Sequence, residues 1–275
     1  MPVKNYYFSV IIPTLNEEKL LPKLLGDLMK QSEQNFEVII VDGGSEDTTR
    51  QKAEAFNKTL SLRFYTNKKK NVSYQRNFGA KKSLGTYLVF LDADVRLSEG
   101  FLKKLKREAD KSKHLLLMPA IKTDDKSFKP LFNITNVLVK ASQSTNRPFS
   151  FSGSMTFQSD FFTHLGGFDE KLYLAEDHDI VQRAKRAGVS GKVMLDNPLA
   201  PSLRRFKREG RFDVLKKYII ASVHTMKSGG GIDKKIFDYQ MGGKQQVSEM
   251  ANEQDSLEYI KSLFDTVKKQ LDKVV

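Results

Sequence analysis

The sequence predicts an α/β fold with a mostly parallel central sheet and helices on both faces. Three features of the chain point to it. In the first half, short β-branched runs alternate with segments of helical periodicity. The strands read as continuous apolar runs, the pattern of strands buried on both faces. Polar residues follow three of these strands directly: Pro13-Thr14, Asp42-Gly43 and Asp92-Ala93-Asp94. In an open parallel sheet ligands sit beyond the carboxyl ends of the strands, so these distant residues are expected to converge on one crevice.

The elements follow in order. Phe8 to Ile12 is a β-branched strand stopped at Pro13. Glu17 to Gln31 has helical spacing, with Leu20, Leu21, Leu24, Leu25 and Leu28 on one face and Asn16 as the expected N-cap. Phe36 to Val41 is a second strand, closed by the turn Asp42 to Ser45, with Ser45 placed to cap a helix from about Asp47 to Lys58. Leu62 to Tyr65 is a third strand, and Ser73 to Ser83 a helix with Gly85 near its end. Tyr87 to Leu91 is a fourth strand, then Ser98 to Lys111 a helix and Leu115 to Met118 a strand. The second half is less regular. Phe149 to Phe157 reads as a strand kinked at Gly153-Ser154, Asp160 to His164 as a short helix, and Gly166-Gly167 as a turn. Glu176 to Ala187 is a helix ended by Gly188, and Lys192 to Leu195 a strand. Phe212 to Met226 is amphipathic, with Val214, Leu215, Tyr218, Ile219 and Val223 opposite Lys216 and Lys217. Gly229-Gly230-Gly231 then breaks the chain, and a polar, weakly helical tail runs to Val275. The stretch from Thr123 to Asn146 carries no readable pattern.

At 275 residues the chain can bury a full core. The net charge of +13 asks for an anionic partner: nucleic acid, an anionic membrane surface or an acidic small substrate such as a diphosphate. The bland alternative is a set of solvated lysine faces. No nucleic-acid-binding motif or aromatic-basic stacking pattern is present, so no nucleic acid is expected. The absence of cysteine excludes disulfides, cysteine-ligated metals and a cysteine nucleophile. Tyr7 to Ile12 is too short for a signal-peptide core, and no stretch approaches the roughly 20 apolar residues of a spanning helix. The expected location is the cytoplasm, with peripheral attachment to the membrane face open.

Asp92-Ala93-Asp94 is the chemical centre. Two carboxylates one residue apart on a rigid strand can grip a hard cation such as Mg2+ or Mn2+. Such a cation bridges diphosphate oxygens and stabilises developing negative charge. The same pair could cap the next helix. It also matches the nucleophile motif of haloacid-dehalogenase-like phosphatases, with Asp92 as nucleophile, although that motif usually follows the first strand. Asp42 could accept a hydrogen bond from a base or ribose, with Gly43 and Gly44 allowing close backbone approach, or it could simply close a tight turn.

Jointly these features resemble the family 2 glycosyltransferases, which have the GT-A fold. The matching residues are Val10-Ile-Ile-Pro-Thr-Leu-Asn-Glu-Glu18, Val41-Asp-Gly-Gly-Ser45, Arg76-Asn77, Phe90-Leu-Asp-Ala-Asp94, Gly166-Gly-Phe-Asp-Glu170 and Glu176-Asp177, in order from residue 8 to about residue 210. The resemblance implies that Pro13, Thr14 and Glu17 line a nucleoside pocket and that Asp42 contacts the base. It implies that Arg76 and Asn77 help place the diphosphate sugar, and that Asp94 ligates the metal with Asp92 close by. Asp177 stands where the family keeps its catalytic base, with Glu176 as the neighbour that could exchange roles; a helix N-terminus also favours acidic residues for its dipole. Arg204 and Arg205 stand near the family's Gln-x-x-Arg-Trp position, without its Gln or Trp, and are carried over as leaving-group contacts; the alternative is a solvated basic loop. His178 and His224 are weighed as a third metal ligand, against the commoner surface or capping role.

The implied organisation is a GT-A domain over 1–228, with a nucleotide-sugar-binding half (1–120) and an acceptor half (121–228). A glycine-linked helical tail over 229–275 would follow. The implied reaction moves a sugar from a nucleotide-diphosphate sugar, with UDP as the family's commonest donor nucleotide, to a saccharide or lipid-linked hydroxyl with inversion. Core packing is the leading reading of helix 212–226, with docking on an anionic membrane as the functional alternative. Lys68-Lys69-Lys70 is expected to be a solvated loop or to steer an anionic substrate.

Overall fold

The computed structural model describes residues 5–67, 69–210, 214, 217, 218, 221, 224, 225 and 229–233. Within them the chain runs β1 (Tyr6–Thr14), α1 (Leu21–Met29), β2 (Phe36–Asp42), α2 (Thr49–Glu54), β3 (Leu62–Thr66), α3 (Val72–Lys82), β4 (Gly85–Phe90) and α4 (Phe101–Ser112). It continues through β5 (Leu116–Ile121), α5 (Lys129–Ser142), β6 (Met155–Gln158), α6 (Ser159–His164), α7 (Glu176–Arg186), β7 (Lys192–Leu199) and α8 (Arg204–Glu209). The strands form one sheet in the order β3-β2-β1-β4-β6-β5-β7. β1 pairs parallel with β2 and β4, β2 with β3, and β5 with β7, whereas β6 runs antiparallel between β4 and β5.

The apolar strands are buried on both faces because helices cover both. On one face Phe8, Val10 and Ile12 of β1 pack with Leu21, Leu24, Leu25 and Leu28 of α1 and with Phe101, Leu102 and Leu105 of α4. On the other, Ile11, Ile39 and Val41 share a cluster with Phe161 and Phe162 of α6 and Ile180, Val181 and Ala184 of α7. Alternation along each strand divides its side chains between the two layers.

Several local expectations change. Asn16 is not a helix cap. Its backbone is left-handed (φ 54°), its Oδ1 accepts from the Glu46 N–H at 2.9 Å, and α1 begins four residues later than expected with Pro22 in its first turn. Ser45 does not cap α2, which starts at Thr49; its hydroxyl donates to Asp42. The Phe149–Phe157 strand shrinks to β6. Ser150 Oγ donates to the Ser152 carbonyl at 2.8 Å and Ser154 N–H donates to Ser152 Oγ at 3.0 Å. These local bonds give the backbone an alternative to the sheet ladder.

α5 fills the stretch that showed no pattern, and β7 runs on to Leu199. Most of the Phe212–Met226 segment, Lys68 and the tail after 233 lie outside the described residues. Just past the expected boundary at 229, the chain still packs against the domain. Ile232 is 1% exposed and bridges antiparallel to Leu174.

Candidate active site

β1 turns outward to β2 on one side and to β4 on the other, so the chain's direction of winding switches between β1 and β4. Thr14 sits opposite Asp42 in the sheet register, and the Leu91 N–H donates to the Ile11 carbonyl at 3.0 Å. This sets the Asp92–Asp94 turn beside Pro13-Thr14, the switch-point position at which open α/β sheets bind ligands. Gln75 of α3 ties these ends together, its Nε2 donating to the carbonyls of Thr14 (2.9 Å) and Val41 (2.7 Å).

A crevice of about 300 Å3 opens there, within the size range of small-molecule sites. Pro13, Thr14, Glu17, Arg76, Asp92 and Asp94 line it, together with Glu176, Asp177, Arg204 and Arg205. Ten of the residues singled out in the sequence thus meet in one cavity. Asp42 and Asn77 do not line it. The Asp42 carboxylate is satisfied within its own turn, accepting from Gly44 and Ser45 N–H (3.0 and 2.8 Å) and from the Thr14 and Ser45 hydroxyls. Asn77 faces the other way. Its amide donates to the Phe168 carbonyl (2.8 Å) and its Oδ1 accepts from the Phe168 N–H (2.9 Å), clamping the Gly166–Glu170 loop.

Arg76 is the hub. It is 2% exposed, donates to Asp92 Oδ1 and to Glu176 Oε1 at 2.7 Å each, and lies 5.2 Å from the Phe168 ring centroid. Burial opposes its charge, but the two carboxylates outweigh this and raise its pKa. Gly153 lies against the guanidinium, where a Cβ would stand 2.0 Å from Nη2. That contact explains the glycine at the kink.

Arg204 also lines the crevice. It grips Glu17 with two bonds of 2.8 and 2.9 Å and reaches Asp94 at 3.3 Å. Burial, together with repulsion from Asp92 and Glu17, pushes the Asp94 carboxyl up to about 6 despite the opposing Arg204.

Opposite, Glu176 and Asp177 open α7, where the helix dipole favours acidic groups. Burial and the neighbouring Asp177 raise Glu176 against the pull of Arg76. Burial would also raise Asp177, but His178 and Arg76 hold it below the usual carboxylate range. His178 is committed here: its Nδ1 lies 3.0 Å from Asp177 Oδ1 and its ring stacks on Phe149. His224 is exposed and does not line the crevice.

The pair is delivered by Ala175, a non-glycine residue at φ 61°, a conformation that persists only where the surroundings enforce it. The 229–233 segment supplies that support. Ile232 exchanges backbone hydrogen bonds with Leu174 and accepts from Tyr173 at 2.7 Å. Gly231 packs where a Cβ would meet Leu172 at 2.4 Å and the Ala175 carbonyl at 3.1 Å.

The donor set suits a hard divalent cation: two carboxylates at a strand end, with Asp94 the less committed because Asp92 is held by Arg76. Among the described residues no three acidic or histidine side chains are grouped to hold a metal. The remaining ligands would be water and substrate oxygens, as is usual for Mg2+. The sequence did not single out Gln75 or Ser152, and it placed Tyr218 only on an amphipathic face; all three line the crevice, as does Lys70, whereas Lys69 pairs with Glu170. Among the described residues no helix is long and apolar enough to cross a membrane.

The fold is that of the GT-A glycosyltransferases. A mannosyltransferase of Pyrobaculum calidifontis, solved with GDP-Man and Mn2+, superposes with a TM-score of 0.67 at 20% identity, covering 81% of this chain and 64% of that one. Residues 1–349 of S. aureus TarS with UDP-GlcNAc superpose with a TM-score of 0.60 at 24% identity, covering 70% and 57%. The glycosyl transferase family 2 model matches residues 9–166, and the chain belongs to that family.

A PGL/p-HBAD biosynthesis glycosyltransferase of Mycobacterium bovis (strain BCG / Pasteur 1173P2) is 39% identical over 94 residues, 34% of this chain and 37% of that protein. A dolichyl N-acetyl-alpha-D-glucosaminyl phosphate 3-beta-D-2,3-diacetamido-2,3-dideoxy-beta-D-glucuronosyltransferase of Methanococcus voltae is 33% identical over 102 residues, 35% and 32% of the two chains. The chain thus spans about a third of the length of the curated relatives it matches.

Proposed function

We propose that the protein transfers a sugar from a nucleotide-diphosphate sugar to an acceptor hydroxyl, with inversion and with a divalent metal. The observation that carries this reading is the pairing of Asp92 and Asp94 with Glu176 and Asp177 across one crevice, joined through Arg76. In this reading Pro13, Thr14 and Glu17 hold the nucleoside, with Asp42 shaping the turn behind them. Asp177 is the base. It is ionised at neutral pH, and its Oδ2 makes no hydrogen bond to a described residue, which leaves that oxygen for the acceptor proton. As the acceptor oxygen attacks the anomeric carbon, the bond to the diphosphate breaks and Asp177 takes the hydroxyl proton. Arg204 and Arg205 meet the charge on the departing nucleoside diphosphate. Asp94, with Asp92 close by, would hold a Mg2+ or Mn2+, which would supply Lewis-acid stabilisation of the same charge. Arg76, buried between two carboxylates, fixes their geometry rather than touching the diphosphate.

UDP-sugars are the first donors to test, and the neighbours bound to UDP-GlcNAc and GDP-Man support the donor class. The dolichyl-linked acceptor in the name of the Methanococcus relative supports a lipid-linked or saccharide acceptor, met by a cytoplasmic enzyme at the membrane face.

The test is a thermal-shift panel of UDP, GDP, CDP and dTDP sugars with and without Mn2+. A bound donor raises the melting temperature by mass action. A metal-dependent shift that Asp94→Ala removes supports the reading; no shift with any donor overturns it. The anomeric proton of the product, read by NMR, decides inversion, and net retention would sink Asp177 as the base.

A further inference from the structure

α4 and α5 are amphipathic helices of similar length, and each buries one face against the domain. Their outer faces differ. The exposed positions of α4 are Lys103, Arg107, Asp110, Lys111 and Ser112, all polar, as a solvated face should be. On α5 the exposed apolar positions are Pro130, Ile134, Val137 and Ala141. Val137 is 62% and Ile134 41% exposed. At 3.6 residues per turn these four side chains fall into one stripe. Lys129, Asn133 and Lys140 lie along one flank of that stripe, Lys122, Asp124 and Lys126 are exposed just before the helix, and the helix itself contains no acidic residue.

An apolar stripe edged by lysines, in a chain of net charge +13, matches one occupant in both respects. A bilayer offers an apolar interior to the stripe and anionic headgroups to the lysines.

We propose that the outer face of α5 docks the protein on an anionic membrane surface. The inner face of the same helix carries Phe132, which lines the crevice. Docking through α5 therefore brings the crevice wall to the bilayer, where a lipid-linked hydroxyl would be presented. The docking itself does not rest on the sugar-transfer reading, because vesicle binding and donor-induced stabilisation are separate readouts.

The test is co-sedimentation of the full chain with vesicles of phosphatidylcholine alone or mixed with phosphatidylglycerol. The parent should partition onto the mixed vesicles, less so as salt rises. The double variant Ile134→Glu, Val137→Glu should lose about tenfold or more of that partitioning, about 1.4 kcal/mol. Lys129→Glu with Lys140→Glu should lose the preference for anionic lipid. All four side chains are exposed, so the variants should keep the parent's circular dichroism and donor-induced thermal shift. A parent that binds neither vesicle overturns the proposal. So does a double variant that binds like the parent, which would put the contact elsewhere on the chain. A parent that is dimeric and is made monomeric by the double variant would make the face an interface between copies, and equally overturns it.

Discussion

On the β1–β4 side of the crevice, Pro13, Thr14 and the Asp92–Asp94 turn sit at the ends of strands locked into the sheet by continuous parallel registers. On the α7 side, Glu176 and Asp177 follow a left-handed alanine and are held by contacts from distant parts of the chain: Arg76, Phe149 through His178, and the Ile232 bridge. The first side is positioned by secondary structure and the second by tertiary contacts. Substitutions remote from the chemistry should therefore disturb the second far more than the first.

The largest expected effect separates the two sides by role. Asp177→Asn should lower kcat by about 100- to 10,000-fold while keeping the donor-induced thermal shift, whereas Asp94→Ala or chelation of the metal should remove the shift. Equal loss of the shift in both variants would collapse the distinction. Arg76→Leu joins the sides in one defect. It leaves two carboxylates facing each other without their shared cation and should cost about 3–5 kcal/mol in urea unfolding, toward the lower figure because Asp92 is partly exposed.

Gly231→Ala tests the distant support directly. The end of the Leu172 side chain can turn aside but the Ala175 carbonyl gives less readily, so the added methyl should cost about 1 kcal/mol, the low end for overpacking, and lower kcat more than it raises the donor KM. Unchanged kcat would show that the 229–233 segment does not position Glu176 and Asp177. The matched change on the other side is Ser45→Ala, which removes a hydroxyl from Asp42 and should cost about 1 kcal/mol, with kcat retained. The smallest effect concerns pH. His178 holds Asp177 low, so His178→Phe should raise the Asp177 pKa. The base is then protonated at higher pH, and the acid limb of the kcat profile moves upward. A limb that stays in place would detach Asp177 from it.

The parallel sheet, its first five strands and the convergence of strand-end carboxylates were legible because they depend on short-range patterns. Apolar runs, helical periodicity and residues following strands are all visible within a dozen positions. The place of Asp92-Ala93-Asp94 after β4 rather than after the first strand already disfavoured the phosphatase alternative, and the sheet order agrees. Asn16 and Ser45 were misread because each bonds across to the other's turn, a partner about 30 residues away that no cap rule contains. α5 was missed because Pro130, Ile134 and Val137 lie on its outer face, which blurs the apolar stripe that is clear on α4.

The sequence by itself determined the fold class, the family and the list of carboxylates and arginines at the crevice. Only the tertiary structure decided their partners and their placement. It turned Asn77 away from the cavity, buried Arg76 between Asp92 and Glu176, and folded Ile232 back against Leu174. The physical reason is range. Periodicity and motif order record each residue's near neighbours, whereas a buried guanidinium takes its role from whichever charges the fold places beside it, here 16 and 100 positions away along the chain.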